Sequence, residues 1–239
     1  MKEPRLLDLG DTAMTLEFGD AVDPVLNQRV MAARNALGNL PGVVDLVPTY
    51  RSLTVHFDPQ RLPREELEAR LLQAAKAPEQ YTEACRHWRI PVVFGGDYGP
   101  DLEDVAIATG RSKQEIVDAF CQIQFRVFMI GFLPGFPYLG ELPEWLRLPR
   151  RPSPRTSVPA RSVAIAGAQA AVYPWQSPGG WHLIGQTPVP MFDATRSEAP
   201  ALLTAGDDVT FASVSEAEFA RFKAAADRRQ WHPEELVIA

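Results

Sequence analysis

The run "QFRVFMIGFLPGFPYLG", Gln124 to Gly140, is where the chain changes character. Its first half, rich in aromatic and branched residues, reads as a strand. Its second half sets glycines and prolines among aromatic rings. Glycine lets a backbone come close to a ligand, and proline holds a loop in one shape. Phe132, Phe136 and Tyr138 supply flat apolar walls around the Gly135–Phe136 turn. Such a loop is either a binding loop or a packed turn.

Downstream, short β-prone runs continue. "SVAIAG" (162–167), "AAVYP" (170–174), "WHLIGQTP" (181–188) and "DDVTFASV" (207–214) are spaced by Pro and Gly. This spacing predicts a compact barrel or rolled sheet. "SEAEFARFKAAADRRQW" (215–231) reads as a closing helix. Upstream, "RIPVVFG" (89–95) is another strand, followed by two short helices, "DLEDVAIATG" and "SKQEIVDAFC". Asp101 and Ser112 are their N-caps, and Ser112 with Glu115 makes a capping box. Gly110 between them gives a helix-turn-helix outline, but Glu115 and Asp118 make the second helix a poor face for phosphates.

The first third alternates differently. "RLLDLG" and "AMTLEFG" are strands around a Gly-Asp turn. Asp23 caps a helix with Pro24 in its first position, and Leu26, Val30, Ala33 and Leu37 share its inner face. "VVDLVPTY" and "SLTVHFD" pair as a hairpin split near Tyr50–Arg51. A second helix, "PREELEARLLQAAKA", turns Leu67, Leu71 and Ala74 or Ala75 inward. The order ββαββα predicts a small α+β domain with an antiparallel sheet. Helical periodicity stops near "APEQYTEACRHW" (77–88), so the expected division is 1–84 and 85–239.

The chain has 239 residues, 46% of them hydrophobic, enough for one large or two small cores. A net charge of −6 argues against a nucleic-acid footprint. No signal-peptide core and no run of about 18 apolar residues is present, so a cytoplasmic protein without a membrane span is expected. Cys85 and Cys121 form no CxxC pair and no zinc pattern with histidines, so no metal site is expected.

Charge is distributed unevenly. Between Glu144 and Asp193 there is no acid, while Arg147, Arg150, Arg151, Arg155, Arg161 and His182 all fall there. Arginine's planar fork matches carboxylate and phosphate oxygens. The segment is therefore an anion site, or a solvated loop in which Arg150 and Arg151 are simply exposed, or its arginines pair with acids from elsewhere in the fold. In "SPGGWHLIG", Ser177 to Gly185, Gly179 and Gly180 can expose backbone N–H groups to an oxyanion, and Trp181 can stack on a ring. The plainer reading is a tight hairpin with a core tryptophan. Among the histidines only His182 lies in a Gly-rich motif, and no serine sits in a G-x-S-x-G elbow. Catalytic residues are not assignable.

Three stretches taken in order, "FMIGFLPGFPYLG", "PRTSVPARSVAIAG" and "YPWQSPGGWHLIGQTP", resemble the KipI family, which includes the B-type subunits of 5-oxoprolinase, many labelled allophanate hydrolase subunit 1. "DTAMTLEFGD" and "GVVDLVPTYRSLTVHFDP" extend the resemblance upstream. The resemblance implies an α+β N-terminal domain followed by a cyclophilin-like β-barrel domain. It implies a KipA-type partner, the C-type subunit of 5-oxoprolinase, and a third subunit, together opening 5-oxoproline to L-glutamate with hydrolysis of ATP and its Mg²⁺. No prosthetic group is expected. The alternatives are an inhibitor of a sensor histidine kinase and an accessory subunit of an amidohydrolase acting on a urea-like compound.

On that reading Arg155 and the Gly179–Gly180 backbone bind anionic groups of substrate or nucleotide. Phe132, Gly135, Phe136 and Trp181 wall the groove, Gln169 hydrogen-bonds the ligand, and Ser177 and His182 lie beside it. The sequence departs from the family pattern at Arg161, where relatives have glycine, and at Ala168, Ala170 and Ala171, where they have Gly, Thr and Gly. These departures are expected to narrow the groove or change its ligand.

Overall fold

A computed structural model describes residues 3–77, 86–228, 230 and 232–238. The chain folds as two compact units, Met1–Ala84 and Cys85–Ala239. The point where helical periodicity was expected to stop, and Cys85 with it, falls mostly outside the described residues.

The first unit runs β1 (Arg5–Asp8), β2 (Ala13–Glu17), α1 (Pro24–Leu37), β3 (Val43–Pro48), β4 (Ser52–Phe57) and α2 (Arg64–Ala74). Its sheet has the order β1-β2-β4-β3, antiparallel throughout. Asp23 starts α1 by accepting from the Val25 and Leu26 amides at 2.7 and 3.2 Å. Val30, Ala33 and Leu37 of α1 and Leu67, Leu71 and Ala74 of α2 are buried against Leu53, Val55 and Phe57, the inward-facing alternate residues of β4.

The second unit continues with β5 (His87–Phe94), α3 (Leu102–Thr109), α4 (Lys113–Gln122), β6 (Phe125–Ile130), β7 (Pro137–Gly140), β8 (Arg155–Val158), β9 (Ser162–Ala166), β10 (Gln169–Val172), β11 (Ser177–Gly179), β12 (His182–Gln186), β13 (Asp208–Ser213), α5 (Glu216–Asp227) and β14 (Val237–Ile238). Seven strands in the order β12-β9-β10-β7-β6-β13-β5 close on themselves through Gly185 opposite Phe94 and Gln186 opposite Val93. Closure removes the exposed edges that an open sheet would present. Within the barrel only β13 and β5 pair in parallel. β8 and β11 form a separate two-stranded ribbon.

Strand alternation divides this unit's apolar residues into two sets. Val163 and Ile165 of β9, Ala170 and Val172 of β10, Leu139 of β7 and Ile184 of β12 join the main core with α3 and α4. Ala164, Ala166, Ala171, Tyr138 and Leu183, their neighbours along the same strands, face the other way. There they meet Phe136, Val158, Tyr173 and Trp181 in a second cluster. Small alanines on this face leave room for the large rings above it.

The two helix N-caps behave differently. Ser112 makes the expected capping box with Glu115. Asp101 stands at the N-cap of α3 but its carboxylate makes no cap hydrogen bond. It is 2% exposed and turned toward residues some fifty positions away. The tertiary ion pairs described below take the oxygens that a local cap would have used.

Candidate functional site

The hairpin between β6 and β7 builds one wall of a pocket. Its loop is closed by Gly131 N donating to the Phe136 carbonyl at 3.1 Å and Phe136 N to the Leu133 carbonyl at 3.0 Å. Phe132, at φ 68°, is thrown outward, 62% exposed, while Phe136 is driven inward to 2%. Gly135 sits at φ 77°, and a Cβ there would stand 2.7 Å from the Met191 carbonyl oxygen, so only glycine makes this turn.

Phe136 is the hub of an aromatic cluster. Its ring centroid lies 5.3 Å from Phe132, 5.0 Å from Tyr138, 5.1 Å from Tyr173 and 6.2 Å from Trp181, in edge-on or tilted arrangements. These rings, with Arg150, Pro154, Pro178, Gly179 and Gly180, line an open cleft of about 250 Å³. The β8–β11 ribbon brings Gly179 in close: a Cβ there would stand 2.3 Å from the Tyr173 hydroxyl. Burial pushes the phenols of Tyr138 and Tyr173 up, against the opposing pull of Arg150. Both hydroxyls therefore stay protonated near neutral pH and can donate or accept hydrogen bonds. Among the described residues, no carboxylate, histidine, lysine or thiol lines the pocket.

The arginines of the acid-free segment go to different places. Arg155 makes a two-pronged pair with Asp101, Nη1 to Oδ2 at 2.9 Å and Nη2 to Oδ1 at 2.6 Å. Arg151 donates to the same Oδ1 at 2.8 Å, and the Leu183 amide donates to Oδ2 at 2.7 Å. Arg147 donates to the Leu142 carbonyl, with Glu141 nearby. Arg161, at φ 68°, donates to the Pro188 carbonyl at 2.8 Å and reaches Asp227 at 3.4 Å. It borders a separate polar cleft of about 520 Å³ with Phe192, Arg196 and His232, away from the aromatic pocket.

Among the residues expected at the groove, Phe132, Phe136, Gly179, Gly180 and Trp181 come together around the aromatic pocket. Gly135, Arg155, Gln169, Ser177 and His182 are not among its lining residues. Gly135 shapes the turn from beneath, and Arg155 is committed to Asp101. His182 Nε2 donates to the Pro149 carbonyl at 2.9 Å. The Gln169 Nε2, Ser177 Oγ and His182 Nδ1 atoms are buried and, among the described residues, have no hydrogen-bond partner. Ala170 and Ala171, departures from the family pattern, are fully buried in the main core and beneath the pocket respectively. Sequence reading did not place Arg150, Tyr173, Pro154 or Pro178 at the aromatic groove. Tyr173 looked like the end of a strand, and the position of the others depends on the ribbon's pairing.

Among the described residues no group of three or more His, Cys, Asp or Glu gathers to hold a metal ion. None of their helices is long and apolar enough to cross a membrane.

Comparison with known proteins follows the same outline. The family model of the carboxyltransferase domain, subdomain C and D, matches residues 4–203. The chain is 39% identical to the B-type subunit of 5-oxoprolinase from Bacillus subtilis (strain 168), over 90% of this chain and 95% of that one. A solved structure of the protein TTHA0988 is 40% identical with a TM-score of 0.76, covering 85% of this chain; the chain spans only 40% of that longer one. The K. lactis urea amidolyase superposes with a TM-score of 0.75 at 18% identity, over 95% of this chain and 16% of that one, a likeness of fold. By the extent of the family match and the near full-length relative, the chain belongs to the carboxyltransferase domain C and D family, with the B-type subunits of 5-oxoprolinase among its kin.

Proposed function

We propose that this chain is a subunit of an ATP-dependent 5-oxoprolinase, acting with a KipA-type partner and a third subunit to open 5-oxoproline to L-glutamate. The observation that carries this reading is the match to the Bacillus subtilis relative along nearly the whole of both chains. The pocket is compatible with it: apolar rings for a small ring compound, two phenols, and a guanidinium at the rim.

The chemistry explains a need for several subunits. A five-membered lactam resists attack by water because amide resonance must be lost. Transfer of the γ-phosphoryl group of ATP to the lactam oxygen leaves ADP and a more electrophilic carbon. Water then adds at that carbon, the C–N bond breaks with protonation of the amine, and phosphate is released by hydrolysis. Such a reaction needs charge stabilisation around the phosphoryl group. Among the described residues the aromatic pocket has no carboxylate, histidine, lysine or thiol, so on this reading it binds substrate while partner subunits complete the reacting centre.

The test is to purify the chain with its two partner subunits and measure glutamate and ADP together from 5-oxoproline. Stoichiometric release of both supports the proposal. ADP without glutamate identifies a different amide substrate, and no activity in the complete complex overturns the reading.

A further inference from the structure

We infer that the aromatic pocket takes a small flat ligand carrying one negative charge, held by Arg150, and that it is not the nucleotide site. This rests on the pocket described above and deepens the proposed function by dividing its two substrates: the lactam carboxylate comes here, the phosphoryl donor elsewhere.

The charge inventory carries the inference. Six cationic or titratable basic residues lie in the acid-free run from Arg147 to His182, and the fold engages all but one. Arg151 and Arg155 share the buried Asp101, Arg161 has Asp227 and the Pro188 carbonyl, Arg147 has Glu141 and the Leu142 carbonyl, and His182 has the Pro149 carbonyl. Arg150 is exposed and, among the described residues, is in no ion pair or side-chain hydrogen bond. Its guanidinium carbon lies 6.0 Å from the Trp181 ring centroid, at the pocket lip. Among the described residues, no carboxylate lines the pocket to neutralise it.

Arg150 is also held in place from both sides. Its predecessor's carbonyl, on Pro149, accepts from His182, and its successor's amide, on Arg151, donates to the Gly180 carbonyl at 2.7 Å. The Arg151 side chain is tied to Asp101. A guanidinium on a pinned backbone loses less freedom when it grips a carboxylate, and its fork suits two oxygens on one carbon.

Size and charge both argue against a nucleotide. At about 250 Å³ the cavity lies below the roughly 300–1,000 Å³ of pockets for drug-sized ligands. A triphosphate calls for several convergent donors, commonly a helix N-terminus or a cluster of cations. Among the described residues the rim offers one free cation. The remaining walls are ring faces and edges, which pack on a flat ring of any composition.

Steady-state kinetics of the assembled complex test this. Arg150→Ala is expected to raise KM for 5-oxoproline at least tenfold while leaving KM for ATP unchanged, and Arg150→Lys to recover part of the loss. An unchanged KM for 5-oxoproline, or an equal rise in KM for ATP, overturns the inference while leaving the 5-oxoprolinase reading intact. If the complex does not turn over 5-oxoproline, that reading fails on its own, and calorimetry on the purified chain decides the pocket. The probes are 5-oxoproline, benzoate, neutral 2-pyrrolidinone and MgATP. Saturable binding of either monoanion that Arg150→Ala abolishes, with none of MgATP, supports the inference. Absence of monoanion binding, binding that survives Arg150→Ala, or MgATP binding that depends on Arg150 overturns it.

Discussion

Arg155 grips Asp101 with both prongs of its guanidinium, across 54 positions of sequence, at 2.9 and 2.6 Å. The carboxylate is nearly inaccessible and also holds Arg151 and the Leu183 amide. One buried acid thereby joins the start of α3, the β8 strand, the loop before it and β12.

Breaking that junction from the acid side is expected to be costly. Asp101→Ala leaves two arginines and a buried amide without their acceptor, and removal of one partner from a buried ion pair costs about 3–5 kcal/mol. Denaturant unfolding followed by tryptophan fluorescence measures this. A loss under about 1 kcal/mol shows that the pair is solvated in practice.

Gly179→Ala is expected to damage the pocket through packing. The new methyl would stand 2.3 Å from the Tyr173 hydroxyl, and both belong to structure that cannot easily yield. Overpacking of this kind costs about 1–3 kcal/mol. A lowered unfolding midpoint together with lost ligand binding is the expected result; Gly180→Ala, whose Cβ would find its nearest neighbour at 3.5 Å, is the milder control.

Arg161 offers a test of backbone conformation. It occupies φ 68°, a region that disfavours side chains by roughly 1–2 kcal/mol. Arg161→Ala loses the ties to Pro188 and Asp227 and keeps the strain; Arg161→Gly loses the same ties without it. Glycine is therefore expected to be more stable than alanine by about 1 kcal/mol, the reverse of the usual order. Thermal unfolding of the two variants decides the sign.

Alkaline pH reaches the pocket through its phenols. Burial raises Tyr138 and Tyr173 above the ordinary value near 10. Between the unfolded and folded values the native state holds more protons, so stability falls as pH rises. The contribution is complete below about pH 10 and is lost as pH passes the folded values. A spectroscopic phenolate titration is expected to show two late-ionising tyrosines, and Tyr173→Phe to remove one. Both phenols ionising at the ordinary value contradicts their burial.

Much of the local structure was legible in the residues. Asp23 and Pro24 announce α1, and Ser112 with Glu115 announce α4, because caps act within one turn of backbone. The β runs from Gln124 onward announce barrel strands through composition and spacing alone. Asp101 shows the limit. As an isolated residue before a helical run it reads as a cap, yet its carboxylate serves partners contributed by a distant ribbon and strand. The same limit hides the difference between Arg150 and Arg155: both are arginines in a proline-rich stretch, and nothing in their neighbours distinguishes them.

The order of residues alone established which chemistry is present: a strand-rich second half, a Gly-Pro-aromatic loop, and a run of arginines without acids. Those properties belong to side-chain type and short spacing, which act over a few residues. Folding then settled which rings meet, which glycines must lack a Cβ, and which arginine of that run stays out of any ion pair among the described residues. These outcomes depend on strand pairing and on the placement of one buried carboxylate, because in a folded interior a charge is quenched by whatever stands within a few ångströms, however far away it lies in sequence.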